Sequence, residues 1–142
     1  MKVLYTAVAT ADGGRAGGEV RSSDGNLELP ISPPKELGGE GAGTNPEQLF
    51  AAGYAACFHS AVMIVARRMD QDAGDSTVTA HVDFGTIGGG AFGLGVELHV
   101  ELPNVSDPEA RDAIVQKAHE VCPYSNATRG NIDVELVVPA AA

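Results

Sequence analysis

Two cysteines, Cys57 and Cys122, are the side chains of this sequence best suited to covalent chemistry. They lie 65 positions apart and form no Cys-x-x-Cys motif. A free cysteine is often an inert, buried small hydrophobe, whereas a cysteine thiolate is a nucleophile that peroxides oxidise. A structural disulfide is not expected in a reducing cytoplasm. The residue types alone therefore leave an inert core cysteine and a reactive thiol both open.

A reactive Cys57 would need a nearby cation. It lies in an apolar segment, residues 54–58, where desolvation raises the pKa of a thiol. Arg15 is a candidate, because a guanidinium is always charged and its planar fork holds a thiolate and a carboxylate together. On spacing alone, a solvated turn residue after Gly13-Gly14 is the simpler interpretation of Arg15.

Two histidines near the cysteines give a metal alternative. Cys57-x-His59 and His119-x-x-Cys122 together offer four zinc ligands. Residues two apart on a helix point about 200° away from each other, so Cys57 and His59 do not face one ion. We therefore predict no metal site and no bound cofactor. The remaining histidines are interpreted as solvated residues on polar strand faces: His81 and His99.

The elements that must position these residues follow from hydrophobic patterning. Three β-rich runs come first, separated by Gly-containing turns: residues 3–10, 15–23 and 27–32. The Ala-rich segment of residues 49–69 is predicted to be a helix, and it is apolar nearly all round, which indicates a central, buried position. Its start would be capped either by Thr44 with Glu47 or by Asn45 with Pro46.

The second half of the chain is predicted to hold two alternating strands, a helix and a last strand. The strands cover residues 76–84 and 94–102, and the last strand residues 132–138. The helix begins at Asp107-Pro108-Glu109 and is stopped by Pro123. The order βββ-α-ββ-α-β predicts an α+β fold with antiparallel sheet, in a single domain over residues 1–142.

Composition narrows the choice of partners. The net charge of −10 opposes binding to nucleic acid or to an anionic membrane surface, and the basic residues form no stripe. We find no apolar run near the roughly 18 residues that span a bilayer, and the β-rich start is shorter than a secretory signal. We therefore expect a cytoplasmic protein.

The sequence resembles the organic hydroperoxide resistance proteins, a branch of the OsmC-like superfamily, over about residues 5–138. Four motifs carry the resemblance: Gly13-Gly14-Arg15, TNPEQLFA at residues 44–51, YAACF at residues 54–58 and VCPYSNAT at residues 121–128. The last block favours the hydroperoxide-resistance branch over its osmotically inducible sister. The resemblance implies an OsmC-like fold, in which sheets wrap a central helix, and an intertwined homodimer with active sites at the subunit interface.

The resemblance also implies a thiol peroxidase that reduces alkyl and fatty-acid hydroperoxides in the oxidative stress response. It gives Cys57 the peroxidatic role and Cys122 the resolving role, with Arg15 and Glu47 orienting and activating the thiolate. The expected cycle passes through a Cys57 sulfenic acid and a redox-active Cys57–Cys122 disulfide. An external dithiol, dihydrolipoamide on a lipoylated protein, would reopen that disulfide.

The expected substrate contacts are apolar. Side chains that would favour an alkyl peroxide over hydrogen peroxide are Leu49, Phe50 and Phe58, with Tyr124 lining the approach. Cys122 is expected near a helix C-terminus, where the dipole disfavours a thiolate and suits a resolving thiol.

One distance conflicts with the expected site. In an unbroken helix Glu47 and Cys57 lie about 15 Å apart along the axis, too far for one Arg15 to bridge. Either the helix breaks, with Gly53 as the predicted position, or the groups that meet come from different subunits. A non-enzymatic thiol redox sensor or a dimerisation module is the alternative function.

Overall fold

A computed structural model describes residues 1–140 of the chain. Within this range the elements are β1 (Ala9–Asp12), β2 (Glu19–Ser22), β3 (Glu28–Pro30), α1 (Pro46–Arg68), β4 (Thr77–Gly88), β5 (Ala91–Glu101), α2 (Pro108–Val121), α3 (Pro123–Thr128) and β6 (Val134–Val137). The predicted order is confirmed, with α3 as an addition. The chain divides into two compact units, Met1–Leu49 and Phe50–Ala142.

The first unit contains a three-stranded antiparallel sheet in the order β1-β2-β3. The β2–β3 turn forms as predicted, with Gly25 in the left-handed region at φ 79° and the Asp24 carboxylate accepting the main-chain N–H of Asn26. The first strand starts later than predicted, at Ala9, because its neighbour β2 ends at Ser22. Several apolar side chains before β1 are more than half exposed: Val3, Leu4, Tyr5 and Val8.

The second unit contains a mixed sheet in the order β4-β5-β6. Strands β4 and β5 form a long antiparallel hairpin, which extends further into the Gly-rich turn than predicted. Strand β6 pairs with β5 in parallel, so the prediction of a wholly antiparallel sheet is wrong at this strand. The reason is the connection, because two helices lie between β5 and β6, and a helical crossover brings a strand back in parallel.

One face of α1 packs into the core of the second unit. Buried side chains follow each other at intervals of three and four residues, from Tyr54 to Ala66. They pack with residues of the sheet and of α2, among them Leu98, Val100, Ile114 and Val115. The opposite face carries Met63 and Ile64, which are 44% and 46% exposed. The prediction that α1 is buried nearly all round is therefore wrong for a single chain.

Helix α1 is also long and apolar enough, by length and composition alone, to cross a membrane. It has 23 residues, and its most apolar stretch has a mean hydropathy of 1.8. This corrects the sequence-based statement that no segment approaches such a span. The core helix of a soluble protein meets the same criterion, and one face of α1 packs in such a core.

Candidate functional site

Arg15 is presented by a tight loop between β1 and β2. The loop begins with Gly13 and Gly14, whose φ angles of 74° and 57° lie in the left-handed region that favours glycine. A Cβ on Gly13 would collide with the carbonyl of Gly17. A single 3-10 turn, Gly14–Ala16, follows and carries Arg15. The predicted Gly-Gly-Arg turn is therefore a loop whose backbone requires glycine just before the arginine.

Arg15 and Glu47 form a two-pronged ion pair within the first unit. Nη1 and Nη2 of Arg15 donate to the two carboxylate oxygens of Glu47 at 3.0 and 2.6 Å. The Glu47 side chain is 13% exposed, whereas that of Arg15 is 51% exposed. The hydrogen bonds from Arg15 hold the pKa of Glu47 below its usual range, and the carboxylate raises the pKa of Arg15. The pair therefore presents an oriented and permanently charged guanidinium.

The start of α1 places Glu47 for this contact. Asn45 caps the helix, because its Oδ1 accepts the main-chain N–H of Gln48 at 2.9 Å, and Pro46 is the first helical residue. This is the second of the two predicted starts. In the first, Glu47 would have bonded back to the cap, whereas in the structure the carboxylate is engaged by Arg15. Its place in the first turn also favours a negative charge there.

Cys57 and Cys122 lie next to each other in the second unit. Their sulfur atoms are 3.6 Å apart, and both are free thiols. Cys57 is half-buried in the middle of α1, whereas Cys122 is fully buried between the end of α2 and the start of α3. Residues 65 positions apart in the chain are thus brought to a distance from which side-chain motion leads to an S–S bond.

The surroundings of Cys57 favour the neutral thiol. Burial raises the pKa of Cys57, the main-chain N–H of Tyr124 lowers it, and the Cys122 sulfur raises it again, so that the pKa lies above its usual value. A thiolate at neutral pH therefore requires a cation in addition to these groups. The expected need for a positive charge beside Cys57 follows from its position on the buried side of a helix.

A buried network of hydroxyl groups fixes the corner that holds Cys122. The hydroxyl of Ser125 on α3 lies 2.7 Å from the Tyr54 hydroxyl on α1 and 2.8 Å from Nδ1 of His119 on α2. Thr128 lies 3.3 Å from the Tyr54 hydroxyl. Burial, and then the charge of Arg129, lower the pKa of His119. A neutral His119 thus ties α2 to α3, and the network joins both helices to α1.

This network is the part of the site that the sequence analysis missed. The motif block at residues 121–128 contains Ser125, but nothing in the sequence pairs it with Tyr54 or His119. Pro123 was predicted only to stop the helix α2, whereas it is also the first residue of α3. Cys122 is therefore both the end of one helix and the cap of another, so the helix-dipole argument for a resolving thiol loses its force.

The predicted substrate residues lie in different environments. Phe50, Tyr54 and Tyr124 form an aromatic cluster with ring centroids 5.5 to 6.1 Å apart. Phe58 is fully buried in the core and has no exposed surface, while Leu49 is half-buried in the first unit. A substrate role for these four residues stays a prediction, and Phe58 would first have to become accessible.

An open groove of about 370 Å³ adjoins Cys57. One wall is the face of α1 that runs from Cys57 past Ala61 and Ile64 to Arg68, and the other is formed by Val121 and Pro123. The groove thus leads from the thiol along apolar side chains to a guanidinium.

Helix α1 has no break at Gly53. It runs continuously from Pro46 to Arg68, so the predicted break is wrong. The absence of a side chain at Gly53 has a different use, because a Cβ there would lie 2.5 Å from the Tyr124 hydroxyl oxygen. Of the two arrangements that would bring Glu47 and Cys57 together, the one that takes them from different subunits stays as a prediction.

The zinc alternative on the two cysteines is not supported. Within residues 1–140, Cys57, His59, His119 and Cys122 do not form a group of potential ligands. Both histidines are engaged elsewhere, His59 with the Ser76 hydroxyl at 2.9 Å and His119 with Ser125.

Comparisons with known proteins show which family the chain resembles in sequence and in fold. The sequence model of the OsmC-like protein family matches residues 39–137. An organic hydroperoxide resistance protein of Xanthomonas axonopodis pv. citri (strain 306) is 55% identical over 139 residues, which cover 96% of each chain. Crystal structures of organic hydroperoxide resistance proteins from Legionella pneumophila and Elizabethkingia anophelis are each 52% identical, with TM-scores of 0.90 and 0.91. The first match covers 98% of this chain and 100% of the other, and the second 99% of both.

Proposed function

The chain belongs to the OsmC-like family, as its motifs predicted, and on that premise we propose that it is a thiol peroxidase that detoxifies organic hydroperoxides. Relatives that align over nearly the whole chain are named organic hydroperoxide resistance proteins, which supports the peroxide-detoxifying role. The observation that carries the cysteine-based mechanism is the pair of free thiols at 3.6 Å, one half-buried and one fully buried.

The proposed reaction begins at the accessible sulfur. The Cys57 thiolate attacks the distal oxygen of the hydroperoxide, the O–O bond breaks, and the alkoxide takes a proton to leave as the alcohol. Cys57 is then a sulfenic acid. The Cys122 sulfur attacks it, forms the S–S bond and releases water. A dithiol reopens the disulfide by exchange and becomes a disulfide itself.

The distance between the sulfurs supports Cys122 as the resolving thiol. An S–S bond requires about 2.05 Å, so the two sulfurs must approach by roughly 1.5 Å. Side-chain rotation at Cys57 supplies a movement of this size without unfolding α1. Fast closure protects the sulfenic acid from a second peroxide, which would otherwise drive it to the irreversible sulfinic acid.

Arg15 is the proposed source of the positive charge. Its guanidinium is held in a fixed orientation by two hydrogen bonds to Glu47, and a permanently charged guanidinium is suited to stabilise a thiolate. Because α1 is unbroken, we place the Arg15–Glu47 pair and the Cys57 that it serves on different subunits of a homodimer. The exposed apolar side chains on α1 and before β1 support such an assembly.

The groove beside Cys57 supports an apolar substrate. Its Ala61, Ile64 and Val121 side chains suit an alkyl chain better than they suit hydrogen peroxide. The aromatic cluster of Phe50, Tyr54 and Tyr124 lies on the same helix and corner. A lipoylated protein is the proposed electron donor, and the cytoplasm, which keeps thiols reduced, is the proposed location.

A turnover assay tests the proposal. Pre-reduced protein is mixed with cumene hydroperoxide and excess dihydrolipoamide, and peroxide consumption is followed. We expect many equivalents to be consumed per chain by the unaltered protein and none by Cys57→Ser. Consumption that stops after one equivalent would instead identify a redox sensor, and activity that survives in Cys57→Ser would exclude the mechanism.

A further inference from the structure

We propose that the outer face of the β4–β5 hairpin carries a binding site for a divalent metal ion of the zinc class, formed by His81, Glu97 and His99. One nitrogen of each histidine and one carboxylate oxygen lie within 4.8 Å of one another. We call these three residues the sheet triplet. It lies on the opposite side of the hairpin from Val78, Ala80 and Val82, which pack against the core, and it includes neither cysteine.

The strand register explains why these three side chains meet. His81 on β4 stands directly opposite Glu97 on β5, and His99 follows Glu97 by two residues and therefore points to the same face. The two imidazole rings have centroids 4.4 Å apart. Nε2 of His99 lies 3.9 Å from a carboxylate oxygen of Glu97. The sequence pattern alone places these residues on polar faces, but only the register brings them together.

One nitrogen of the sheet triplet has no polar partner in the described part of the structure. Nε2 of His99 is shielded from solvent and has no hydrogen-bonding partner among the described residues. A shielded polar atom without a partner is unfavourable, and 3.9 Å to Glu97 is too long for a hydrogen bond. A metal ion between the two groups would satisfy both the nitrogen lone pair and the carboxylate charge.

The donor set selects the type of ion. Two imidazoles and one carboxylate are the ligands of His₂Glu zinc sites, which leave a fourth position to water. Imidazole also suits nickel and copper, whereas magnesium and calcium prefer oxygen donors. Ligand atoms around tetrahedral zinc stand about 3.4 Å apart at bond lengths of about 2.1 Å, so small side-chain rotations close the triplet from its present spacing.

The test uses Zn²⁺ and a protein without competing thiols. The cysteine sulfurs also bind zinc, so the background is the double variant Cys57→Ser, Cys122→Ser, freed of metal with a chelator. Titration against a chromogenic zinc chelator is expected to show one Zn²⁺ per chain. In that background His99→Ala is expected to weaken binding at least about 100-fold, because even the loss of an outer-shell partner costs 10–100-fold.

A matched control separates coordination from general negative charge. Glu101 lies on the same strand and face as Glu97, but its carboxylate accepts the Thr77 hydroxyl. Glu97→Gln is expected to weaken binding, whereas Glu101→Gln is expected to leave it unchanged. The absorption spectrum of bound Co²⁺ gives a second readout, with the intense visible bands of a four-coordinate site and no sulfur charge-transfer band.

Three results would overturn the proposal. The first is stoichiometric binding that disappears with the thiols and is unaffected by His99→Ala. The second is weak binding of several ions that Glu97→Gln and Glu101→Gln reduce equally. The third is an unchanged zinc affinity in His81→Ala, which removes only the exposed member of the triplet and does not disturb the core. None of these readouts depends on peroxidase activity.

Discussion

At the scale of single residues, the Arg15–Glu47 pair shows how a surface arginine acquires a fixed direction. Its guanidinium is half exposed, yet two hydrogen bonds to one carboxylate set its plane. The motif at residues 13–15 identified Arg15, and the block at residues 44–51 identified Glu47. The contact between them joins positions 32 apart in the chain, and residue types and spacing do not determine such a contact.

Replacing Arg15 tests its proposed effect on the thiol. In Arg15→Ala the pKa of Cys57 is expected to rise, because an opposite charge near a thiolate favours the charged form and the variant loses that charge. Peroxide reduction at neutral pH falls correspondingly. The rate of iodoacetamide alkylation as a function of pH measures the change. Arg15→Lys keeps the positive charge and loses the forked geometry, so it should recover part of the alkylation rate at neutral pH. An alkylation profile in Arg15→Ala identical to that of the unaltered protein would exclude Arg15 as the activating cation.

Replacing Cys122 tests the resolving role. Cys122→Ser is expected to consume one equivalent of peroxide at an undiminished rate, because Cys57 remains, and then to accumulate sulfinic acid at Cys57. Mass spectrometry of the intact chain reads this as a gain of two oxygen atoms under excess peroxide. Normal turnover with dihydrolipoamide in this variant would contradict the role.

The acid response of the first unit follows from the lowered pKa of Glu47. Because that pKa is lower in the folded chain than in the unfolded one, the carboxylate contributes stability above its ordinary pKa. This contribution is lost as the pH falls through the folded-state pKa. Urea unfolding at a series of pH values should show Glu47→Gln less stable than the unaltered protein near neutrality, with the difference shrinking below about pH 4.3.

Glu36→Gln is the control for that comparison, because Glu36 is an exposed acid in the same unit. The difference in unfolding free energy between Glu36→Gln and the unaltered protein should stay constant over the whole pH range. If the difference between Glu47→Gln and the unaltered protein were constant with pH, the pair would not be the source of the effect.

At the scale of elements, the corner between α2 and α3 positions Cys122, the proposed resolving thiol. Pro123 ends one helix and, by its fixed φ and missing N–H, starts the next. Only the first effect was predictable from the sequence, because the short helix α3 has no hydrophobic repeat of its own. The helix α1 was predictable from composition and from its cap. Gly53 was wrongly predicted to break it, because the contact with Tyr124 that explains the glycine comes from a distant part of the chain.

The hydroxyl of Ser125 is expected to stabilise this corner. Ser125→Ala removes one partner of the buried Tyr54 hydroxyl, which keeps only its longer contact with Thr128, and the partner of the half-buried His119; a buried polar group left unsatisfied costs about 1–3 kcal/mol. Chemical denaturation measures the loss, and slower formation of the Cys57–Cys122 disulfide is expected with it. Ser23→Ala, at an exposed turn position, should change neither. Equal stability of Ser125→Ala and the unaltered protein would mean that the network does not fix the corner.

At the scale of the whole molecule, the proposed homodimer would cover apolar side chains that are exposed in the single chain. The order of elements, the hairpins and the central helix were predictable, because apolar residues recur about every 2 residues in strands and every 3.6 residues in helices. Two features differ from what the pattern predicted. The first strand, predicted at residues 3–10, begins only at Ala9, and one face of α1 is exposed at Met63 and Ile64. The spacing of apolar residues does not tell whether a helix face is covered by its own chain or by another one.

Light scattering after size-exclusion chromatography tests the proposed homodimer by measuring the mass of the particle in solution. The expected mass is that of two chains of 14.5 kDa. Met63→Glu places a charge on the exposed apolar face of α1 and should shift the mass towards one chain at low concentration. Gln116→Glu adds the same charge to the exposed surface of α2 and should leave the mass unchanged. A single-chain mass for the unaltered protein at all concentrations would exclude the proposed two-subunit site.

The parallel pairing of β6 also has a consequence for synthesis on the ribosome. The edge of β5 that accepts β6 is complete about 30 residues before β6 itself has been translated. At roughly 5–20 residues per second this leaves an unpaired strand edge for a few seconds in every nascent chain. Slowing translation between codons 102 and 133 would lengthen that interval, and a larger fraction of newly made protein would aggregate.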